Sequence, residues 1–161
     1  MTILRSERPR QEAQDEPVRP AHFQAARAAQ ARVLLEDYVE LIAKLIRQGG
    51  DAELQASVGP SRIARSLGVS HASAIKCIGR LCRAGLAETQ PYRGVSLTQA
   101  GEALAARVQR RHRIVLDLLV SLGVPAEAAQ ADAEGIEHHV SSATLDAFER
   151  FLAADAAKGS S

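Results

Sequence analysis

The sequence predicts a mainly α-helical chain, built as an N-terminal winged helix-turn-helix with a small two-stranded wing, followed by a second helical domain. Three observations carry that expectation. A helix, glycine turn, helix pattern lies at residues 60–84, two short extended segments flank Pro91-Tyr92, and helix signals resume at Thr98 and continue almost to the C-terminus.

Residues 1–22 combine Pro9, Pro17 and Pro20 with arginines and carboxylates and show no apolar period, the composition of a disordered tail. From about residue 23 the pattern turns helical. Leu34, Tyr38, Leu41 and Leu45 recur beside Leu35, Val39, Ile42 and Ile46, one broad buried face of a helix that stops at Gly49-Gly50. After a loop at 51–59, Pro60 opens a short helix with Ile63 and Leu67 inward, and Gly68 permits the sharp turn into a helix capped by Ser70. On that second helix Ala74, Ile75, Ile78 and Leu81 are the expected packing positions, with Val69 a buried plug before it. Ser70, His71, Ser73, Lys76, Cys77 and Arg80 are the positions left exposed. Leu86 to Gln90 and Arg93 to Leu97 then pair as the wing. Thr98 caps a long helix to about Leu122, Gly123 closes it, and Pro125 opens the next. A last helix over 142–157 carries the apolar stripe Leu145, Phe148, Phe151 and Leu152. The expected division is therefore a tail at 1–22, a winged helix-turn-helix at 23–98, a second helical domain at 99–157 and a disordered end at 158–161.

A length of 161 residues suits one domain or two small helical units sharing an interface. Aromatic residues at 3% leave little material for stacking unpaired bases, which argues against a single-strand binder. The net charge of +1 conceals an asymmetry: residues 61–113 carry +8 and residues 114–161 carry −6. A basic block suits a polyanion such as DNA, and an acidic block suits a cation or a solvated surface. Cys77 and Cys82 are separated by about 7.5 Å of helical rise, which disfavours a disulfide between them. The sequence shows neither a signal-peptide core nor a run of about 18 apolar residues, so a cytoplasmic protein with no membrane partner is expected.

Two constellations carry chemistry. Small polar groups at the start of the second helix, Ser70, His71 and Ser73, are placed to reach base edges in a major groove, with Lys76, Arg80 and the wing's Arg93 on phosphates. Winged helices also serve as protein-interaction modules, a reading the basic block disfavours. Glu134, Glu137 and His138 stand at i, i+3 and i+4, so a helix would present two carboxylates and an imidazole together. The like charges repel by roughly a few tenths of a kcal/mol, and a bound cation would reverse that sign. Spacing alone leaves a solvated acidic face equally open. Asp37 and Glu40 on the first helix, and His112 after Arg110-Arg111, read by themselves as surface groups. Only their convergence in space would make a site.

Over about residues 30–155 the chain resembles the diphtheria toxin repressor family, and within it the manganese transport regulators. The resemblance rests on Leu35-Glu36-Asp37-Tyr38-Val39-Glu40-Leu41-Ile42, Leu67-Gly68-Val69-Ser70, Tyr92-Arg93-Gly94-Val95, Arg111-His112, and the specific run Asp132-Ala133-Glu134-Gly135-Ile136-Glu137-His138-His139-Val140-Ser141. It implies a winged helix joined to a helical metal-binding and dimerisation domain, in a homodimer that Mn(II) converts into the form that binds a palindromic operator. It further implies repression of manganese homeostasis genes such as uptake transporters, one or two Mn(II) per subunit, and metal ligands at Asp37, Glu40, His112, Glu134, Glu137 and His138. Such carboxylate-rich N/O donors suit Mn(II), a hard ion that competes poorly for thiolates.

Two departures from the family pattern qualify this. Leu116 stands four residues after His112, where relatives often have a glutamate, so an ancillary site of the iron branch is not expected; the loop at Asp51–Gly59 is also longer than usual. An iron(II)-responsive repressor of the same family is the nearest alternative, but that branch looks for a methionine near Asp37 and a cysteine near Glu134, and this chain has neither. A metal-free winged-helix regulator sensing an apolar ligand would leave Glu134, Glu137 and His138 unexplained. An enzyme would need a nucleophile or oxyanion donor beside the carboxylates, and none is visible, so no catalytic activity is expected.

Overall fold

A computed structural model describes residues 20–49, 57–90 and 93–159. Helices α1 (Pro20–Arg47), α2 (Pro60–Leu67) and α3 (His71–Arg83) are followed by strands β1 (Ala87–Gln90) and β2 (Gly94–Leu97). Helices α4 (Gln99–Ser121) and α5 (Ala126–Ile136), a 3-10 turn at Glu137–His139, and α6 (Ser142–Gly159) complete the order. Most of the expected tail, the Pro91-Tyr92 tip and the greater part of the loop before α2 lie outside the described residues. Helix α1 starts at Pro20 and α6 continues through Gly159, each reaching into segments expected to be disordered.

The helix-turn-helix forms where the punctuation predicts. Gly68 ends α2 at φ 65, a left-handed conformation that costs a residue with a Cβ, and the Val69 N–H closes onto the Ala64 carbonyl at 3.0 Å. Ser70 Oγ then accepts from the Ser73 N–H at 3.1 Å, satisfying one of the orphan donors of α3. Thr98 does the same for α4 through the Gly101 N–H, and its hydroxyl also donates to the Gly85 carbonyl at 2.7 Å. That second bond ties the start of α4 to the turn between α3 and the wing.

The wing is antiparallel, with Ala87 opposite Leu97 and Gln90 opposite Gly94. Val58 pairs with the outer side of Val95, exchanging N–H···O=C bonds of 2.7 and 2.9 Å, a third partner that no pattern in the loop announces.

One core serves the winged helix and the helix that follows it. Tyr38, Val39, Ile42 and Leu45 of α1 pack with Ile63, Cys77, Ile78, Leu81, Val95 and Ala105. Helix α1 thus contacts α3, the wing and α4, while α4 in turn packs on α5 and α6. The consequence for function is that α1 belongs mechanically to both halves.

Several packing expectations are corrected. The buried stripe of α3 is Ala74, Cys77, Ile78 and Leu81, the strict i, i+3, i+4, i+7 row, so Cys77 packs as a small hydrophobe and Ile75 is 46% exposed. Val69, Leu34 and Phe151 are exposed rather than buried. Phe151 shares that exposure with Val120, Leu122 and Ile136, large apolar side chains on α6, at the end of α4 and on α5. Both cysteines are free, as expected.

Gly101 marks the tightest approach in the first turn of α4. A Cβ there would sit 2.0 Å from the Leu86 carbonyl oxygen, a backbone atom that cannot rotate away. Gly101→Ala is therefore expected to destabilise the fold by at least the ~1–3 kcal/mol of an overpacked core position. Urea unfolding checks this, and a midpoint equal to wild type would show that α4 and the β1 turn separate easily.

Candidate metal centre

Three segments meet at one place. Helix α1 supplies Glu36, Asp37 and Glu40, α4 supplies Arg111 and His112, and α5 with its 3-10 extension supplies Gln130, Glu134, Glu137 and His138. Helix α5 ends at Ile136 and passes into the 3-10 turn at Glu137–His139, with Ile136 and Glu137 both still in right-handed helical geometry. Glu137 is turned inward and is 3% exposed, whereas Glu134 stays open to solvent.

The two histidines hold the arrangement together. His138 Nδ1 lies 3.1 Å from Glu36 Oε2, and its Nε2 lies 3.2 Å from Asp37 Oδ1 and 3.5 Å from Glu137 Oε1. His112 Nδ1 lies 2.9 Å from Glu137 Oε2, and its Nε2 lies 2.8 Å from the Gln130 amide nitrogen. With that amide donating to Nε2, the His112 proton sits on Nδ1 and is donated to Glu137.

The electrostatics divide the carboxylates into two kinds. Burial pushes Glu137 above the ordinary carboxyl range, against the pull of His112 and His138. Asp37 is also raised, above all by burial, against the pull of His138 and with smaller additions from the charges of Glu36 and Glu134. Glu40 is raised by burial and by Glu134. For Glu36 burial acts in the same direction, but hydrogen bonds from Arg111 and His138 outweigh it and leave its carboxyl lowered.

All six residues implied as ligands are thereby brought within one neighbourhood: His112 and His138 bridge to the acids, and Glu134 acts on Asp37 and Glu40 through charge. Among the described residues, no group of three His, Cys, Asp or Glu side chains is gathered closely enough to hold an ion as it stands. The donor chemistry nonetheless fits a hard divalent cation. Oxygen with imidazole is the set that Mn(II) takes, and three of these carboxyls are buried enough that burial raises them above the ordinary range. Glu36, Arg111 and Gln130 were not singled out as site residues. Their partners lie 18 to 102 positions away in the chain, beyond any local spacing rule.

The residues proposed for DNA are all exposed: Ser70, His71, Ser73, Lys76 and Arg80 on or beside α3, and Arg93 before β2. The Ser70 and Ser73 hydroxyls bond each other at 2.9 Å, so a base contact by either would share a group already engaged. Among the described residues no helix is long and apolar enough to cross a membrane.

A winged helix whose first helix also carries part of an acidic, histidine-bearing cluster defines a class: DNA-binding regulators governed by a cation. Comparison with known proteins agrees. Residues 35–95 match the family described as iron dependent repressor, N-terminal DNA binding domain, and residues 98–155 match its metal binding and dimerisation domain. The transcriptional regulator MntR of Escherichia coli is 47% identical over 136 residues, covering 84% of this chain and 84% of that protein. The HTH-type transcriptional regulator MntR of Bacillus subtilis is 35% identical over 112 residues, 70% of this chain and 75% of that protein. A solved manganese-dependent transcriptional repressor in complex with manganese is 29% identical with a TM-score of 0.61, over 73% of this chain and 51% of that one. The chain belongs to the MntR-type regulators of the iron-dependent, or diphtheria toxin, repressor family.

Proposed function

We propose that the protein is a cytoplasmic, homodimeric repressor of manganese homeostasis genes, which binds a palindromic operator when Mn(II) occupies the cluster at Asp37, Glu40, His112, Glu134, Glu137 and His138. One observation carries this reading: the candidate ligands are split between α1, whose other face is the core of the winged helix, and the α4–α5 region. A bound cation supplies the positive charge that these carboxylates lack. Asp37 and Glu40 of α1 are then held to the same ion as His112 and Glu137, and the helix-turn-helix, packed on α1, is fixed with them. The cost of ordering is met by metal binding, so operator affinity rises. The number of Mn(II) ions, one or two per subunit, follows from how the six donors divide.

In the dimer, the exposed Phe151, Ile136, Val120 and Leu122 supply apolar surface for the second copy. Two-fold symmetry then requires two half-sites. No residue of the cluster is assigned a catalytic role.

The deciding experiment uses a duplex selected from a random pool with Mn(II) present. Binding should follow added Mn(II) in anaerobic buffer and vanish on chelation; equal binding after exhaustive chelation would overturn the reading. On the DNA side, Lys76→Ala should weaken selected and random duplexes about equally and flatten the salt slope by roughly one unit, as for a lost phosphate contact. An unchanged affinity and slope remove Lys76 from the interface.

A further inference from the structure

Glu36 is the acid that the resemblance did not mark as a ligand, yet it is 5% exposed and touches both halves of the cluster. Its Oε2 accepts from the Arg111 guanidinium on α4 and faces His138 Nδ1 at 3.1 Å, with Arg32 one turn earlier at 4.0 Å from Oε1. Arg111 is the neighbour of His112 in sequence, and its own Nε is buried without a hydrogen-bond partner among the described residues. A buried carboxylate held by a guanidinium can only accept hydrogen bonds, so the ring atom facing it is committed as a donor. The opposite ring atom, His138 Nε2, is the one that faces Asp37 and Glu137.

We propose that Glu36 is a positioning residue for the metal centre: anchored by Arg111, it holds the His138 ring with Nδ1–H toward itself and turns Nε2 to the Asp37–Glu137 side of the cluster, where a bound cation would take the place of any proton on Nε2. The geometry is that of a carboxylate, histidine, metal relay, in which the outer acid orients the imidazole and raises its basicity. Glu36 does not itself bind the ion. Its contacts with Arg111 and His138 also join α1, α4 and the 137–139 turn, so ring orientation depends on all three segments being docked. This inference rests on the manganese reading for its effect on affinity, but ring orientation is testable without any metal.

The experiment compares wild type, E36A and E36Q. In the metal-free protein, nitrogen-15 shifts of His138 should show Nδ1 protonated in wild type. In E36Q, whose amide oxygen still accepts from that ring atom, the proton should stay there; in E36A it should move to Nε2. Mn(II) affinity, measured by calorimetry on the same proteins, should fall about 10–100-fold in E36A and be restored in part by E36Q. Loss of affinity from a merely loosened fold would not track the tautomer and would not be rescued by glutamine. Should E36A not fold, R111A is the second variant: with the acid no longer anchored, the His138 Nδ1 proton should lose its fixed place and Mn(II) affinity should fall, and unchanged His138 shifts and affinity would count against the proposal. A wild-type His138 with its proton on Nε2, or an E36A protein with unchanged His138 shifts and Mn(II) affinity, overturns the proposal. Absence of Mn(II) binding by wild type would instead sink the manganese reading and leave the tautomer result standing.

Discussion

Replacing Glu137 by glutamine is expected to abolish Mn(II)-dependent operator binding while the dimer and its secondary structure persist. Among the described residues Glu137 is the one acid that meets both histidines, at 2.9 Å from His112 and 3.5 Å from His138, and it is almost fully buried. Glutamine keeps the volume and an acceptor oxygen but removes the charge that a cation needs. The loss in Mn(II) affinity should exceed the roughly 10–100-fold that follows from removing an outer-sphere partner. Alanine is the poorer choice, because a void beneath two histidines would confound loss of a ligand with loss of packing. Circular dichroism and sedimentation establish that the variant is folded and dimeric. A Glu137→Gln protein that answers to Mn(II) with wild-type midpoint would place the metal elsewhere.

The second large effect concerns which metal is sensed. Asp37→Met together with Glu134→Cys should move the response from Mn(II) toward Fe(II) or Co(II). Sulfur donors are softer, and affinity for later divalent ions rises faster than for Mn(II) when oxygen is exchanged for sulfur. Both positions sit on the rim of the cluster: Glu134 is exposed and Asp37 is half-buried, so the exchange disturbs little packing. Operator binding titrated with each metal in anaerobic buffer reports the change. A double variant that still prefers Mn(II) over Co(II) by the wild-type margin would show that the remaining donors, not these two, set the preference.

Much of the fold is legible in the chain because its signals are local. Ser70 and Thr98 act as caps, Gly68, Gly85 and Gly123 take positive φ, and the apolar period of α1 predicts the face that builds the core. Reading α3 failed at a single step: Ile75 looks more apolar than Cys77, but the helical row selects the residue by angle, not by hydrophobicity. Val58 escaped for a different reason, since an isolated bridge has no period to detect.

The site was legible only as separate fragments. The spacing of Glu134, Glu137 and His138 does not say which of them turns inward; Glu137 is buried where it meets His112, 25 positions away, while Glu134 stays exposed. Glu36 lies between Leu35 and Asp37 and resembles any charged residue at the margin of a buried face. Its burial is set by Arg111, 75 positions away, and by His138, 102 positions away. Glu36, Arg111 and the two histidines already tie the three segments together, so the cation acts on a docked arrangement whose remaining acids, Asp37, Glu40 and Glu137, disfavour their charge.

Metal and DNA sites coupled through α1 must show that coupling in both directions, because linkage between two binding equilibria is reciprocal. The direct measurement is the Mn(II) affinity of the dimer, free and again when saturated with the selected operator duplex at constant salt and pH. Operator should tighten Mn(II) binding by the same overall factor by which Mn(II) tightens operator binding, of order 5–150-fold for couplings of this kind. An Mn(II) affinity indifferent to the operator would contradict this coupling, and would make the cluster a structural site with no part in the switch.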